Sequence, residues 1–317
     1  MKLSETKLGR PSRRLICASA IGAAMGWSQE PEVTFKSETR LVPLTATVIN
    51  SRGQLVPDLP RSAFKVFENG VEQPIKGFSR EDVPVSLGLL VDNSASMRNR
   101  RAKVEAAAVS MVKASHPRDE VFVVNFNDRV YLDVPFTSDI AQMEKGLARI
   151  DPSGGTAFYD AISLALDTVR RGRHDKRALL LITDGNDTAS DTGFEAVLAK
   201  AMRANVTIHV IGLLATEEPR EARQAQRSLK AIADSTGGLS FFPTEVAEVE
   251  KLTVQVAHAI RNQYVITYSP LNESLDGSYR TVRVTAKGPH HPVVRTRAGY
   301  YARPQTSEPV RISQQRG

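Results

Sequence analysis

Three residues in the stretch LLVDNSASM have types and spacing that could do chemistry: Asp92, Ser94 and Ser96. An apolar run ends on a carboxylate, and hydroxyls follow at every second position. Such a trio supplies hard oxygen donors of the kind magnesium takes. It could equally serve an enzyme, or simply turn the chain, because Asp and Ser are common turn formers. Two further stretches repeat the theme. In PSGGTAFYDA, Gly154 and Gly155 make a tight loop before Thr156, and in LLLITDG a second apolar run ends at Asp184. Asn93 fills the position between Asp92 and Ser94. Asn186 and Asp187 follow Asp184, either as outer-sphere groups or as ordinary loop solvation.

An enzymatic role finds little support. A phosphotransferase of the haloacid dehalogenase type also places an Asp after an apolar strand, but it needs a second Asp two residues on as general acid. Ser94 stands there and cannot do that at neutral pH. The chain has no GxxxxGK phosphate loop, no GxSxG elbow and no HExxH zinc motif. His209 lies in the apolar run NVTIHVIGLL and reads as a packed core residue. His290 and His291 precede Pro292 at a turn, without the Cys or acidic neighbours of a metal site. The expectation is a protein that is not an enzyme.

The elements that must hold the three stretches follow from hydropathy. From Val85 to Arg261, VSLGLLVD, EVFVVNFND, RALLLITD and NVTIHVIGLL are apolar strands. Between them, Val104–Ala108–Met111 and Phe158–Ile162–Leu166–Val169 recur at helical spacing, as do later segments around 194–204, 217–235 and 249–260. Continuous apolar strands alternating with amphipathic helices imply an α/β fold, a doubly wound and mostly parallel sheet covered on both faces. Ligands bind beyond the carboxyl ends of such strands, where Asp92 and Asp184 fall. Residues 40–84 and 262–303 read instead as strands and turns, with a hairpin at Asn69–Gly70. Neither flank has strands enough for a core of its own, so the two are expected to join into one small β-sandwich with the α/β region, residues 85–261, inserted between them.

The three chemical stretches, in this order, resemble the von Willebrand factor type A family and its metal-ion-dependent adhesion motif. That motif is Asp-x-Ser-x-Ser, then a Thr in a second loop, then an Asp in a third. The resemblance covers residues 85–261. It implies that Asp92, Ser94, Ser96, Thr156 and Asp184 hold Mg2+ or Mn2+, with the hydroxyls of Ser94, Ser96 and Thr156 as direct ligands and the two carboxylates acting mainly through water. An ion short of direct anionic ligands keeps a position for a carboxylate from a partner protein. The implied function is an adhesion or scaffold module that binds a protein presenting Asp or Glu. An assembly factor docking a chaperone or ATPase is the alternative. The flanks, with ENGVEQPIKGF before and YVITYSP, DGSYRTVRV and VRTRAGYY after, are similar to exported bacterial type A-related proteins, acidobacterial ones in particular.

Composition sets the outer bounds. Hydrophobic residues are 41% and charged residues 24% of the 317, ordinary for a globular protein with a real core. The net charge is +7, but Lys2, Lys7, Arg10, Arg13 and Arg14 against Glu5 give +4 within residues 1–28, so the rest carries +3. No basic block remains, which speaks against nucleic-acid binding. Residues 1–28 read as an export signal: a basic start ending RPSRR, the uncharged LICASAIGAAMGW, and small residues before Gln29. Ser12–Arg13–Arg14 matches a twin-arginine signal in part. Residues 29–39 are then a linker and residues 304–317 a polar tail. The lone Cys17 lies inside the signal, so the exported chain, periplasmic or secreted, would hold no cysteine and no disulfide. No later stretch is long and apolar enough to span a membrane.

Overall fold

A computed structural model describes residues 40–80, 82–114, 116–147, 152–289 and 291–303. The expected export signal, linker and tail lie outside the described residues, as does His290.

Along the chain, four strands come first: β1 (Val42–Ile49), β2 (Phe64–Glu68), β3 (Val71–Gln73) and β4 (Ile75–Ser79). The α/β region follows with β5 (Val85–Asp92), α1 (Arg101–Lys113), β6 (Glu120–Phe126), β7 (Val130–Thr137), α2 (Ile140–Leu147) and α3 (Phe158–Val169). It continues through β8 (Lys176–Thr183), α4 (Phe194–Ala204), β9 (Thr207–Gly212), α5 (Pro219–Thr236), β10 (Ser240–Phe241) and α6 (Val249–Arg261). Four strands close the chain: β11 (Tyr264–Tyr268), β12 (Tyr279–Ala286), β13 (Val293–Arg295) and β14 (Gly299–Tyr301).

The central sheet has the order β10-β9-β8-β5-β6-β7, parallel except for β7, which pairs antiparallel with β6 at one edge. Because side chains alternate across a strand, the apolar runs divide between two cores. Leu87, Leu89 and Val91 of β5, with Leu180 and Ile182 of β8, face α1, α2 and α6. Leu90 of β5, with Leu179 and Leu181 of β8, faces α3, α4 and α5. Each such side chain, fully buried, contributes about 1.5–3 kcal/mol. A strand that is covered on both faces has no polar positions to spare, which is why these runs read as continuous rather than alternating.

The flanks pair with each other. One sheet runs β13-β1-β11-β4 and the other β14-β12-β2-β3, so each contains strands from both ends of the chain. Their inner faces meet over Leu44, Val66, Tyr264, Ile266, Tyr268 and Val284. Asn69 and Gly70 both have positive φ, 48° and 82°, as a two-residue hairpin between β2 and β3 requires. Pro43 lies in β1 where only β11 pairs with it, since β13 reaches only Thr47 to Ile49. That local edge accommodates its missing N–H. HPVVRTRAGYYA divides between the two sheets, β13 joining one and β14 the other. Helix α2, which no sequence reading anticipated, is short and packs against β7 and α1 beside the edge of the sheet.

Candidate metal centre

β5 and β8 are adjacent and parallel, with Val91 opposite Ile182. The chain leaves β5 towards α1 on one face and leaves β8 towards α4 on the other. A crevice opens where connections depart to opposite faces, and Asp92 and Asp184 stand at it. Both are fully buried.

Asp92 ends β5. Its Oδ1 accepts the Ser94 N–H at 2.8 Å, and its Oδ2 accepts the Thr183 hydroxyl at 2.6 Å. Both oxygens are engaged, so Asp92 holds the loop in shape. Ser94 is buried, while Ser96 is exposed and forms the open side. The Ser96 hydroxyl donates to Asp184 Oδ1 at 2.8 Å, and the Ser94 and Ser96 hydroxyls lie 3.1 Å apart. Since Ser96 gives its proton to Asp184, Ser94 is the donor in that second pair. Asp184 Oδ2 accepts from Arg100 Nη1 at 2.6 Å.

Thr156 joins the group through its backbone loop. Ala95 N–H donates to Gly154 C=O at 3.2 Å and Ser153 N–H to Asn93 C=O at 3.0 Å, which ties the second loop to the first. Thr188 N–H donates to Thr156 C=O at 2.8 Å, which ties it to the third. Gly154 has φ +73°, and a Cβ there would come within 2.8 Å of Asp128 Oδ1, so this turn needs glycine. The structure therefore gathers Asp92, Ser94, Ser96 and Asp184 by direct side-chain bonds, and Thr156 by the loop that carries it.

The flanking polar residues have structural work. Asp187 accepts the Tyr159 N–H at 2.9 Å in the first turn of α3, and Asn186 donates to the Glu221 carbonyl at 3.0 Å. Both fasten the third loop to neighbouring helices rather than to the oxygen cluster. Asn93 is buried and donates to Asn125 Oδ1 at 2.9 Å. His209 is a core residue whose Nδ1 accepts the Leu239 N–H at 3.1 Å. Two residues of the site escaped the sequence reading. Thr183 stood in the quoted LLLITD, but nothing marked its hydroxyl as a partner of Asp92. Arg100 lies in MRNRRAK, where sequence offers no reason to prefer it over Arg98 or Arg101.

The electrostatics favour a cation. Burial, and then the nearby charge of Asp184, push Asp92 up to about 6. Burial also raises Asp184, against the Ser96 hydrogen bond and the Arg100 charge, which lower it. Two buried carboxylates share one guanidinium here, so a further cation at the crevice would favour the ionised form of both. The spacing of the donors also suits such an ion. Neighbouring oxygens around an octahedral magnesium at ~2.1 Å are about 3.0 Å apart. The Ser94 and Ser96 hydroxyls, both expected as direct ligands, lie 3.1 Å apart, close to that value. Among the described residues no group of three or more His, Cys, Asp or Glu could hold a metal ion.

The family described as von Willebrand factor type A domain matches residues 87–186, the span that carries all five residues. The chain contains a type A domain. Type A domains are mainly protein-interaction modules rather than enzymes. An uncharacterized protein of Synechocystis sp. is 25% identical over 135 residues, 41% of this chain and 32% of that one. An uncharacterized protein of Borreliella burgdorferi is 24% identical over 160 residues, 48% of this chain and 45% of that one. The matches thus span less than half the length of these curated relatives. Among solved structures, a von Willebrand factor type A protein from Catenulispora acidiphila shares the fold at 13% identity with a TM-score of 0.51, over 82% of this chain and 73% of that one. Among the described residues no helix is long and apolar enough to cross a membrane.

Proposed function

We propose that this chain is an exported adhesion or scaffold module whose type A domain binds a partner protein through a divalent ion, magnesium or manganese. Ser94, Ser96 and Thr156 would hold the ion with neutral oxygens, and Asp92 and Asp184 would orient those hydroxyls and the waters around it. The ion's chemistry would be to attract a partner's carboxylate without being neutralised by its own shell. The observation that carries this reading is the run Ser94 Oγ, Ser96 Oγ and Asp184 Oδ1, spaced 3.1 and 2.8 Å at an open crevice. Export is supported by the composition of residues 1–28 alone.

Selection of random displayed peptides on the immobilised chain tests the partner chemistry. In magnesium, selected peptides should be rich in Asp or Glu, should release in chelator, and should not be recovered on Asp92→Ala. Peptides without acidic residues that stay bound in chelator would show that the interaction surface lies elsewhere.

A further inference from the structure

At the end of the central sheet opposite the oxygen cluster, a cleft of about 480 Å³ lies between the β-sandwich and the α/β layers. β8 separates the two ends: the seven steps between its first and last residues, at about 3.3 Å each, put them roughly 23 Å apart. Five arginines line the cleft, Arg40, Arg170, Arg203, Arg297 and Arg303, and among the described residues no Asp or Glu does. The chain beyond its first 28 residues carries only +3, so this is a local excess of positive charge.

Four of the five arginines stand over two rings. The guanidinium carbons of Arg40 and Arg297 stand 5.2 and 5.4 Å from the centre of Tyr300. Those of Arg203 and Arg303 stand 5.2 and 5.6 Å from the centre of Tyr301. Each ring therefore gathers two like charges, which repel each other and gain only a modest cation–π attraction. Arg297 is anchored by bonds of 3.0 Å to Asn205 Oδ1 and to the Pro43 carbonyl. Its Nε, and Nη1 of Arg40, are buried without an acceptor among the described residues. A buried, charged donor left unpaired is costly, and an oxyanion in the cleft would relieve it.

Helix ends explain part of this charge. Arg170 follows α3 and Arg203 closes α4, where a cation complements the helix dipole. That account does not reach Arg40, Arg297 and Arg303, which come from the flanks. Nor does it explain why a second cleft, of about 300 Å³, shares Arg170 and Arg203 and continues to Arg177, whose Nε is likewise buried without an acceptor. Asp167 also lines this second cleft, but it is paired with Lys200 at 2.7 Å, so the arginines remain in excess, and guanidinium forks match phosphoryl oxygens.

We propose that this cleft binds a multiply charged oxyanion of the oligophosphate class, seated between the sandwich and the α/β layers. The site uses neither the metal cluster nor its partner, so its test can be run without metal. Calorimetric titration with inorganic tripolyphosphate in chelator, at matched ionic strength, should give saturable binding and a higher Tm. The double variant Arg203→Gln/Arg303→Gln removes two exposed charges and should fold as the parent does. It should bind at least about tenfold more weakly, since charge-assisted hydrogen bonds are the strong ones. Arg40→Gln should weaken binding similarly. No heat or Tm change in the parent, or an unchanged affinity in both variants, would overturn the proposal. Citrate binding as tightly as tripolyphosphate would overturn the phosphoryl assignment. Sedimentation with phosphatidylglycerol vesicles without binding of dissolved tripolyphosphate would overturn the small-molecule assignment.

Discussion

Arg100 and Asp184 form a 2.6 Å ion pair at the rim of the oxygen cluster, Asp184 fully buried and Arg100 partly so. Arg100 thus supplies part of the positive charge that two buried carboxylates call for. Replacing it with Met leaves Asp184 buried and unpaired, which in the absence of metal should cost about 3 kcal/mol. The same change removes a cation next to the ion, so magnesium should bind at least about tenfold more tightly. Denaturation with and without magnesium checks both. A variant that is as stable as the parent, or that gains nothing from magnesium, would contradict this view of Arg100.

His209 gives a pH dependence with a definite sign. Burial pulls it from 6.5 down to about 3, so between those values the unfolded chain binds the extra proton. This contribution to stability is full above about pH 6.5 and falls as pH drops towards 3, by about 2 kcal/mol between pH 7 and pH 5. His209→Asn keeps an acceptor for Leu239 and removes the titration. Urea unfolding at pH 7 and pH 5 should show the parent losing about 2 kcal/mol more than the variant. Parallel losses would rule out His209 as the cause.

Gly237 couples the α/β layers to the sandwich. It ends α5 with φ +82°, and a Cβ there would come within 2.6 Å of the Thr296 backbone. Beside it, Ala298 N–H donates to Ser235 C=O at 2.9 Å. Gly237→Ala should therefore cost about 3 kcal/mol, the left-handed backbone and the clash combined. Gly193→Ala, where a Cβ meets nothing within 4 Å, should cost under about 1 kcal/mol. Equal costs would mean that the junction yields freely.

The flanks should depend on each other. β1 finds its partners in β11 and β13, and β2 pairs with β12. A fragment of residues 40–84 should be unfolded, and residues 85–261 should fold alone with reduced stability. The loss follows from contacts such as Gln255 Nε2 donating to the Gly53 carbonyl at 3.1 Å. A dispersed amide spectrum from the 40–84 fragment would refute the dependence.

The parts of this molecule that were legible in the sequence are those with a local signature. β5, β8 and β9 announce themselves because strands buried on both faces are apolar throughout, and Asn69–Gly70 announces its hairpin by backbone chemistry. Asp92, Ser94, Ser96 and Asp184 were legible because they stand at the ends of such strands. What escaped depends on contacts between distant segments. Arg100 is one basic residue among several, and only the fold brings it to Asp184. Arg40, Arg203 and Arg297 carry no shared pattern, and the cleft exists only once both flanks have folded around the sheet. The division of 292–302 between two sheets was illegible for the same reason: β13 and β14 are each three residues long, and their partners decide their places.

The most direct measurement of the central claim is a crystal structure grown in millimolar Mn2+, with anomalous scattering recorded above the manganese edge. A peak bonded to Ser94 Oγ and Ser96 Oγ, absent from crystals of Asp92→Ala, is the predicted result. A map with no peak at this crevice, and with Arg100 still paired to Asp184 as its only cation, would contradict it.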